Sequence, residues 1–341
     1  MHINVDLNRQ LVISQYAVIR WQSEKIEISS ISSGLVMVTD EFEIVNLLNT
    51  FAKPRSIKDV YQEFEKIFSG SLHSHLDTFE RSGILVDPSQ QEAALANNWD
   101  WTALAYHFKS RKFVAKESIV QQGITQRLSF GDIITLVKGF PEIEHSLPNI
   151  LDKRQSRRTW STHAITFDSI SAFLWLSARD RGVTNKGIDG TVSRPYPSGG
   201  AIYSLEIYVV VSSDAIENVP IGIYKYLPDH HALEKCSSEE FDVLFFLEAA
   251  ARSANSSTPP VVLLITSAFQ KQSATYGSLA YSLILKEVGC LFQTMYLVGE
   301  YLSLNCCALG GGIPPGRLAR ISKFSEIAEP IVGEFLLGPR E

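Results

Sequence analysis

The stretch from Arg194 to Glu206 constrains the fold more than any other, because it reads Arg-Pro-Tyr-Pro-Ser-Gly-Gly-Ala-Ile-Tyr-Ser-Leu-Glu. Its two prolines restrict the backbone, and the adjacent glycines Gly199 and Gly200 carry no Cβ that would keep a flat ligand at a distance. The apolar run Ile207–Val211 that follows predicts a strand. Taken alone, the stretch predicts a tight turn before a strand, either as a plain turn or as a loop that approaches a ligand.

Two further features indicate an anionic, planar ligand. Upstream lies the basic run Lys-Arg-Gln-Ser-Arg-Arg at residues 153–158, whose guanidinium groups suit phosphate, although a solvated basic turn is the alternative. Leu151 suggests a helix start, where backbone amides would also be available to a phosphate. Downstream, Gly310–Gly312 is predicted to close the long apolar helix Tyr281–Leu302. Together these features predict a phosphate-bearing planar cofactor.

Composition narrows the class of protein. The 341 residues favour two domains, and the net charge of −6 argues against a general role in nucleic-acid binding. The four cysteines show no spacing typical of a metal site, so we expect no metal and reduced cysteines. No secretory signal is visible, and the charges within residues 281–309 favour a buried helix over a membrane span. We therefore expect a cytoplasmic protein with no membrane or nucleic-acid partner.

Residues 1–90 predict a small domain that begins with short strands. Thr39 and Asp40 offer a cap for a first helix, and Ser56 offers one for a second. A third helix is expected over residues 72–82, and Gly83 would end it before a short strand at residues 84–86. Three helices followed by a small strand outline a winged helix, with a generic small α/β module as the alternative. The acidic charge makes a peptide groove the more plausible function of a winged helix here.

Residues 91–150 are interpreted as a connector and residues 151–341 as a second domain. Mixed strands and long helices in this domain predict an α+β fold in three layers. The expected helices are Asp168–Asp180, Glu239–Ala251 and Tyr281–Leu302, and the expected strands are Ile207–Val211, Ile221–Tyr226, Val261–Thr266 and Pro330–Leu337.

The first domain resembles the PqqD-like recognition elements of peptide-maturation enzymes. The resemblance rests on residues 39–48, on the break Lys53-Pro54-Arg55-Ser56 and on the ending Glu80-Arg81-Ser82-Gly83-Ile84-Leu85-Val86. It implies that residues 1–90 recognise a peptide.

The second domain resembles the SagB-type dehydrogenases, flavoenzymes of the nitroreductase fold. Residues 154–158 look like an Arg-x-Ser-x-Arg opening, and residues 194–206 are similar to the signature Arg-Pro-Tyr-Pro-Ser-Gly-Gly-Ala-x-Tyr-Pro-Leu-Glu. Residues 224–234 resemble the element Tyr-x-Tyr-x-Pro-x-x-His-x-Leu-Glu, and residues 307–311 resemble the glycine-rich exit. The chain departs from the pattern at Ser204, Ser282, Cys290 and Thr294.

This resemblance implies an FMN-dependent homodimer with each flavin in a cleft between subunits. It implies oxidation of thiazoline or oxazoline rings in a ribosomal or carrier-bound peptide, alongside a cyclodehydratase or synthetase partner. It assigns the phosphate and ribityl end of FMN to Arg154, Gln155, Ser156 and Arg158. It assigns the isoalloxazine ring to Pro197, Ser198, Gly199, Gly200, Gly310 and Gly311.

The resemblance also implies a catalytic pair, Lys225 and Tyr226. Aromatising an azoline removes a hydride, which the flavin would accept, and a proton, which needs a base. Lys225 is the proposed base if burial lowers its pKa, with Tyr226 assisting. Neighbouring residues on a strand point to opposite faces, so both can act only where the strand ends or bends. The alternative is an exposed lysine beside a core tyrosine.

Three functions stay open. The first is azoline oxidation on a peptide. The second is an NAD(P)H-dependent flavin reductase of the same fold that acts on small molecules. The third is a non-catalytic scaffold that binds a peptide through residues 1–90. Flavin bleached by NADPH alone would favour the second, and a colourless protein the third.

Overall fold

A computed structural model divides the chain into two compact units, Met1–Phe113 and Val114–Glu341. The boundaries expected at residues 90 and 150 stay a prediction. The described residues are 6–30, 36–89, 106–107, 131–184, 191–314, 316–322 and 327–340.

Over residues 6–30 and 36–89, the first unit packs three helices against two small antiparallel sheets. Its elements are β1 Gln10–Ile13, β2 Ala17–Gln22, β3 Lys25–Ser30, β4 Val36–Thr39, α1 Glu43–Thr50, β5 Arg55–Ser56, α2 Ile57–Phe64, α3 Leu72–Arg81 and β6 Leu85–Val86. Strands β2, β3 and β4 pair in that order, and β1 lies between β5 and β6. Alternate residues of β3, Ile26 and Ile28, point inward and join Leu47 and Phe79 in one core.

One of the two predicted caps in this unit is confirmed. The Ser56 hydroxyl accepts from the Asp59 N–H at 3.2 Å and starts α2. The cap at Thr39 and Asp40 is wrong, because Thr39 ends β4 and its hydroxyl accepts from Glu41 N–H before α1 begins. The winged-helix assignment stays a prediction.

The second unit is built on a seven-stranded antiparallel sheet. Its elements are β7 Ile133–Thr135, α4 Leu147–Lys153, α5 Phe167–Ala178, β8 Val183–Thr184, β9 Thr191–Val192, β10 Leu205–Val211, β11 Gly222–Leu227, β12 Ala232–Ser237, α6 Glu240–Ala254, β13 Val261–Ser267, α7 Phe269–Tyr276, α8 Ala280–Tyr301, β14 Leu304–Leu309, α9 Arg317–Ser322 and β15 Ile331–Pro339. The strand order is β14-β15-β13-β10-β11-β12-β7. Strands β8 and β9 pair separately.

This sheet is the middle of three layers. Side chains alternate along β10, so Val209 packs with α5 and α8 on one face while Val210 packs with α6 on the other. Leu291 of α8 and Phe246 of α6 are fully buried in these two cores. The expected α+β three-layer architecture is confirmed.

Two expectations about how helices adjoin candidate site residues are wrong, namely that Gly310–Gly312 closes the long helix and that a helix starts at Leu151. The long helix ends at Tyr301, Ser303 adopts a left-handed φ of 56°, and strand β14 follows, so Gly310–Gly312 leaves a strand and not a helix. The apolar run of β14 looked like a continuing helix because a strand buried on both faces shows no alternation. Helix α4 starts at Leu147, after the cap Ser146, so the basic run follows the carbonyl end of a helix. That end offers no free amides to a phosphate.

The longest described helix is α8, and it carries Lys286, Glu287 and Glu300. None of the helices that the structure describes has the length and apolar character needed to cross a membrane.

Candidate functional site

Two glycine turns predicted to contact a cofactor lie at the same end of the strands of the seven-stranded sheet. Strand β14 ends at Leu309 and leads into Gly310, whereas β10 begins at Leu205, shortly after Gly200. Because β14, β15, β13 and β10 alternate in direction, the end of β14 and the start of β10 lie at the same end of the sheet's strands. Three strand intervals separate them, about 14 Å at ordinary spacing.

Tyr296 of α8 joins the basic run to β14. Its hydroxyl lies 2.8 Å from Ser156 Oγ, and the Arg154 guanidinium lies 5.1 Å from the centre of its ring. The same hydroxyl accepts from Ala308 N–H at 2.7 Å, so its proton is free to be donated to Ser156. Tyr296 therefore holds two of the predicted phosphate residues beside the strand that leads to Gly310.

Arg157 is occupied elsewhere, in an ion pair behind the basic run. Its guanidinium donates to Glu300 at 2.9 Å, and Arg340 donates to the same carboxylate at 2.7 Å. Burial raises the pKa of Glu300, but the hydrogen bonds from Arg340 and Arg157 outweigh burial and bring it below its usual value. Gln155 and Arg158 are exposed. Arg157 is not among the residues predicted to contact the phosphate. The predicted phosphate contacts of the other residues stay a prediction.

The turn at Gly199 and Gly200 packs closely against side chains of α7 and α8. A Cβ on Gly199 would lie 3.2 Å from Gln272 Nε2 and 3.6 Å from Leu283. A Cβ on Gly200, whose φ is +65°, would lie 2.5 Å from the Tyr276 hydroxyl. Glycine is therefore favoured most strongly at Gly200, where a Cβ would require Tyr276 to move, and the two glycines leave the backbone of the turn bare.

The residues that follow the two glycines have a strained backbone, and hydrogen bonds to Ser198 and from Arg194 hold the turn in place. Ala201 and Tyr203 have left-handed φ values of 54° and 47°, a conformation that costs roughly 1–2 kcal/mol per residue. The Tyr203 N–H donates to Ser198 Oγ at 3.0 Å. Buried Arg194 donates from Nη1 to Leu205 O at 2.8 Å and closes the loop on itself. These bonds hold the turn in a shape that its residues would not adopt unaided.

The second glycine turn is held from the α6 side. Gly311 and Gly312 have φ values of 121° and 118°, and the Ser253 hydroxyl donates to Gly311 O. Glu334 accepts from the backbone of Ile313, although burial outweighs that bond and raises the pKa of the carboxyl. The space where a Cβ would stand is open at Gly311 and also at Gly310. This turn is therefore anchored on one side and open on the other.

Two buried polar side chains stand behind the first glycine turn. Glu287 of α8 is 2% exposed, and Gln272 of α7 is fully buried. Neither makes a side-chain hydrogen bond of normal geometry to any described residue. Burial raises the pKa of Glu287 to about 7, against smaller opposing effects of Ser198 and Arg194. The Glu287 carboxyl thus changes charge near neutral pH.

The structure does not bring Lys225 and Tyr226 together. Lys225 points to the α6 face, where its Nζ lies 3.5 Å from Glu206 and 5.4 Å from the centre of the Tyr208 ring. Lys271 reaches the other oxygen of Glu206 at 3.7 Å. Burial raises the pKa of Glu206, but Lys225, Lys271 and Arg194 outweigh burial and lower it. Lys225 therefore belongs to a cluster of opposite charges.

Tyr226 points to the other face, into the core. Its hydroxyl lies 2.8 Å from His231 Nδ1, and His231 Nε2 lies 3.0 Å from Val137 O. Because a carbonyl only accepts, Nε2 carries the proton and Tyr226 donates to Nδ1. Burial lowers the pKa of His231 to about 4, so the ring is neutral at pH 7. Tyr226 and His231 form a closed, uncharged pair on the face opposite Lys225, and the prediction that the two neighbouring residues point to opposite faces is confirmed.

Sequence reasoning missed Tyr296, Gln272 and the pairing role of Glu206. The partners of Tyr296 lie on two separate segments, and no local pattern reveals such contacts. Glu206 offered one usable signal, since a carboxylate that begins a buried strand needs a cation. His231 stood within the resembling element of residues 224–234 but was given no role.

An antiparallel sheet between helical layers, with a basic run and two glycine turns at one end of its strands, defines a domain suited to a planar, anionic ligand. The model of the nitroreductase family matches residues 151–338, and the chain belongs to the nitroreductase family.

Three relatives illustrate this membership. The chain is 32% identical over 171 residues to MJ1384 of Methanocaldococcus jannaschii, a candidate nitroreductase, covering 50% of this chain and 81% of that one. It is 32% identical over 118 residues to the microcin B17-processing protein McbC of Escherichia coli, covering 34% of this chain and 43% of McbC. A crystal structure of a candidate nitroreductase from Anabaena variabilis is similar with a TM-score of 0.55 at 18% identity, covering 71% of this chain and 48% of that one. The last likeness concerns the fold alone.

The residues present fit a flavin mononucleotide. Arg154 and Ser156 supply a cation and a hydroxyl for a phosphate. The bare backbone at Gly199 and Gly200 and the open space at Gly310 suit the close approach of a flat ring.

Proposed function

We propose that the protein is an FMN-dependent dehydrogenase that oxidises thiazoline or oxazoline rings of a modified peptide to thiazole or oxazole. The oxidoreductase class follows from the nitroreductase family. The peptide substrate is supported by the similarity to McbC, which is named as a microcin-processing protein. The observation that carries the flavin assignment is the glycine turn at Gly199 and Gly200, whose backbone is bare and where a Cβ on Gly200 would require Tyr276 to move.

In this proposal Arg154, Gln155, Ser156 and Arg158 bind the phosphate and ribityl end of FMN. The residues Pro197, Ser198, Gly199, Gly200, Gly310 and Gly311 border the ring. The bound flavin supplies the acceptor for a hydride from the azoline carbon. The chain supplies orientation and a base for the proton that leaves the adjacent carbon.

Lys225 is the proposed base, and Tyr226 a supporting residue. In its ion pair with Glu206 the Lys225 side chain is an ammonium, so it must first release a proton before it can act as the base, and the charged cluster reaches solvent through Lys271, whose side chain is 47% exposed. The Tyr226 hydroxyl is enclosed and already donates to His231. A proton taken up on the α6 face therefore has a route to water that the Tyr226 hydroxyl lacks.

A homodimer is proposed from one stripe of α8. Tyr281, Leu285, Gly289 and Gln293 are all exposed and recur every four residues, so they share one face of the helix. The space beside Gly289 is open, which suits the close approach of a second helix. This stripe is the face on which we expect a second copy, and a flavin cleft between the two.

The first unit is proposed to hold the peptide. Among the described residues β4 pairs only with β3, so its second edge is available to an extended peptide. Val36 and Val38 of β4 are exposed and would contact alternate side chains of such a strand. The peptide would reach the enzyme from a cyclodehydratase or synthetase partner.

Stopped-flow mixing of the FMN-loaded protein with an azoline-containing peptide, without oxygen, tests the proposal. We expect the flavin absorbance to bleach at a rate that depends on peptide concentration, and an azole product two mass units lighter. Bleaching by NADPH alone, with no reaction with azoline, would make the protein a reductase. A protein that takes up no FMN would leave only a peptide-binding scaffold.

A further inference from the structure

Glu287 and Gln272 have no role in the site proposed above, yet they lie directly behind its first glycine turn. Gln272 Nε2 is 3.2 Å from where a Cβ on Gly199 would stand. The Ser198 hydroxyl is close enough to the Glu287 carboxyl to lower its pKa. They come from two different helices, α7 and α8, and converge on one short piece of backbone.

Such groups are costly to bury without partners. Both oxygens of Glu287, both polar atoms of Gln272 and Nε of Arg194 lack hydrogen bonds within the part of the chain that the structure describes. Buried side chains of this kind are normally paired, and each exception calls for an explanation. Leucine at either position would fill similar space without this penalty.

Ser198 connects Glu287 to the turn. Its hydroxyl oxygen accepts from Tyr203 N–H at 3.0 Å, so its proton remains available for donation. A carboxylate is the acceptor that binds such a proton most strongly. The Ser198 hydroxyl lowers the pKa of Glu287, as a donor close to a carboxylate does.

We propose that Glu287, with Gln272 beside it, is a positioning residue that holds the turn of residues 198–200 and thereby the flavin ring. This inference rests on the proposed function. The polar atoms of Glu287 and Gln272 are fully enclosed, so they cannot touch a bound ligand themselves. They act on it only through Ser198 and Gly199.

The position of Glu287 makes the turn sensitive to pH. Burial raises the pKa of Glu287 to about 7. Three charged or titratable groups face the Glu287 carboxyl and the turn. They are Arg194 and Tyr196, which precede the turn in the stretch 194–206, and Tyr276 of α7. A ring that covers the turn replaces water near the enclosed carboxyl by apolar matter, which lowers the local dielectric constant and favours the neutral form of Glu287. Flavin affinity should therefore fall as pH rises from 6 to 8.

The test measures binding of FMN and of riboflavin to the full chain by fluorescence titration at pH 6 and pH 8. Riboflavin is included because it has no phosphate to titrate. The variants are Glu287→Gln, which keeps shape and neutrality, and Glu287→Leu, which removes the polar group. Lys286→Gln is the matched control, since it changes an exposed charge on the neighbouring residue of α8.

We expect Glu287→Leu to weaken both ligands by about tenfold. Glu287→Gln should bind within about threefold of wild type at pH 6 and lose the pH dependence. Gln272→Leu should weaken binding in the same direction as Glu287→Leu. Lys286→Gln should keep the wild-type profile.

Wild-type affinity and pH dependence in both Glu287 variants would overturn the inference. If Glu287→Leu does not fold, the pH profile of Glu287→Gln decides alone. A wild-type protein that binds no flavin would end the proposed function as well. A wild-type protein that binds FMN and oxidises azolines, beside Glu287 variants that match Lys286→Gln, would end only this inference.

Discussion

Glu206 and Glu287 lie on opposite faces of the same sheet, and their carboxyls differ in charge. Both are largely buried, and burial alone raises the pKa of each. On the α6 face Lys225, Lys271 and Arg194 outweigh burial, so Glu206 is ionised at neutral pH. On the α8 face no lysine of the described segments opposes burial, the effects of Ser198 and Arg194 are smaller than that of burial, and the pKa of Glu287 rises to about 7. The cations around a buried carboxyl, more than its depth, decide its charge.

The same contrast extends to the neighbours of these two residues. The α6 face carries fixed charges next to Lys225, whereas the α8 face carries the neutral pair of Tyr226 and His231. Residues adjacent in the chain thus occupy surroundings of different polarity. Proton transfer to solvent is expected on the charged face.

Substitution of Lys225 should have the largest effect. Lys225→Ala should bind FMN normally and slow azoline oxidation by about 10²–10⁴-fold, the usual contribution of a general base. Tyr226→Phe should slow it less, because its hydroxyl is enclosed with His231. Stopped-flow flavin reduction by an azoline peptide measures both. Wild-type rates in both variants would make the pair structural, and equal losses would remove the distinction between the two faces.

Arg194 acts on both carboxyls, so its loss should affect both faces. Arg194→Met should lower the free energy of unfolding by about 4 kcal/mol, because it breaks the bond to Leu205 O and removes a buried charge from beside two acids. Urea unfolding at pH 7 measures the change. Arg252→Met is the control, since Arg252 forms an exposed ion pair with Glu248. Equal losses of unfolding free energy in the two variants would mean that the buried contacts of Arg194 contribute no more than an exposed ion pair does.

Glu287→Gln should change how stability depends on pH. The folded-state pKa of Glu287, about 7, lies above the ordinary glutamate value of 4.5, so the folded wild type binds the extra proton and loses stability as pH rises from 4.5 to 7. The variant lacks this loss and should be more stable at pH 8 by about 2–3 kcal/mol. Urea unfolding of both proteins from pH 5 to pH 8 gives the difference. A constant difference over that range would contradict the raised pKa.

Glu206→Gln should change the pH dependence of stability in the opposite direction and by a smaller amount. The pKa of Glu206 is lowered in the folded protein, so its contribution is present above pH 4.5 and is lost as pH falls. The variant should be less stable than wild type at pH 7 by about 1–2 kcal/mol, since the side chain is partly exposed. The deficit should shrink toward pH 3. Glu248→Gln, in an exposed pair, should show no deficit.

Local rules predicted much of this molecule. The helix expected over Tyr281–Leu302 is observed over Ala280–Tyr301, because its apolar spacing is regular. Strand alternation correctly separated Lys225 from Tyr226. The contacts of Tyr296 with Ser156 and Ala308, and the unpaired state of Glu287, could not be predicted. They depend on segments that only the folded sheet brings together.

Strand β7 has a consequence for the order of folding. It closes one edge of the sheet by pairing Ile134 with Leu233, whereas β10, β11 and β12 pair with their neighbours in the chain. Pairing β7 with β12 closes the long stretch of chain between Ile134 and Leu233, and closing so long a loop costs more chain entropy than closing a hairpin. The hairpins should therefore form first and β7 should dock late. Until then the outer edge of β12 stays uncovered, so a nascent chain is most prone to intermolecular strand pairing at this edge.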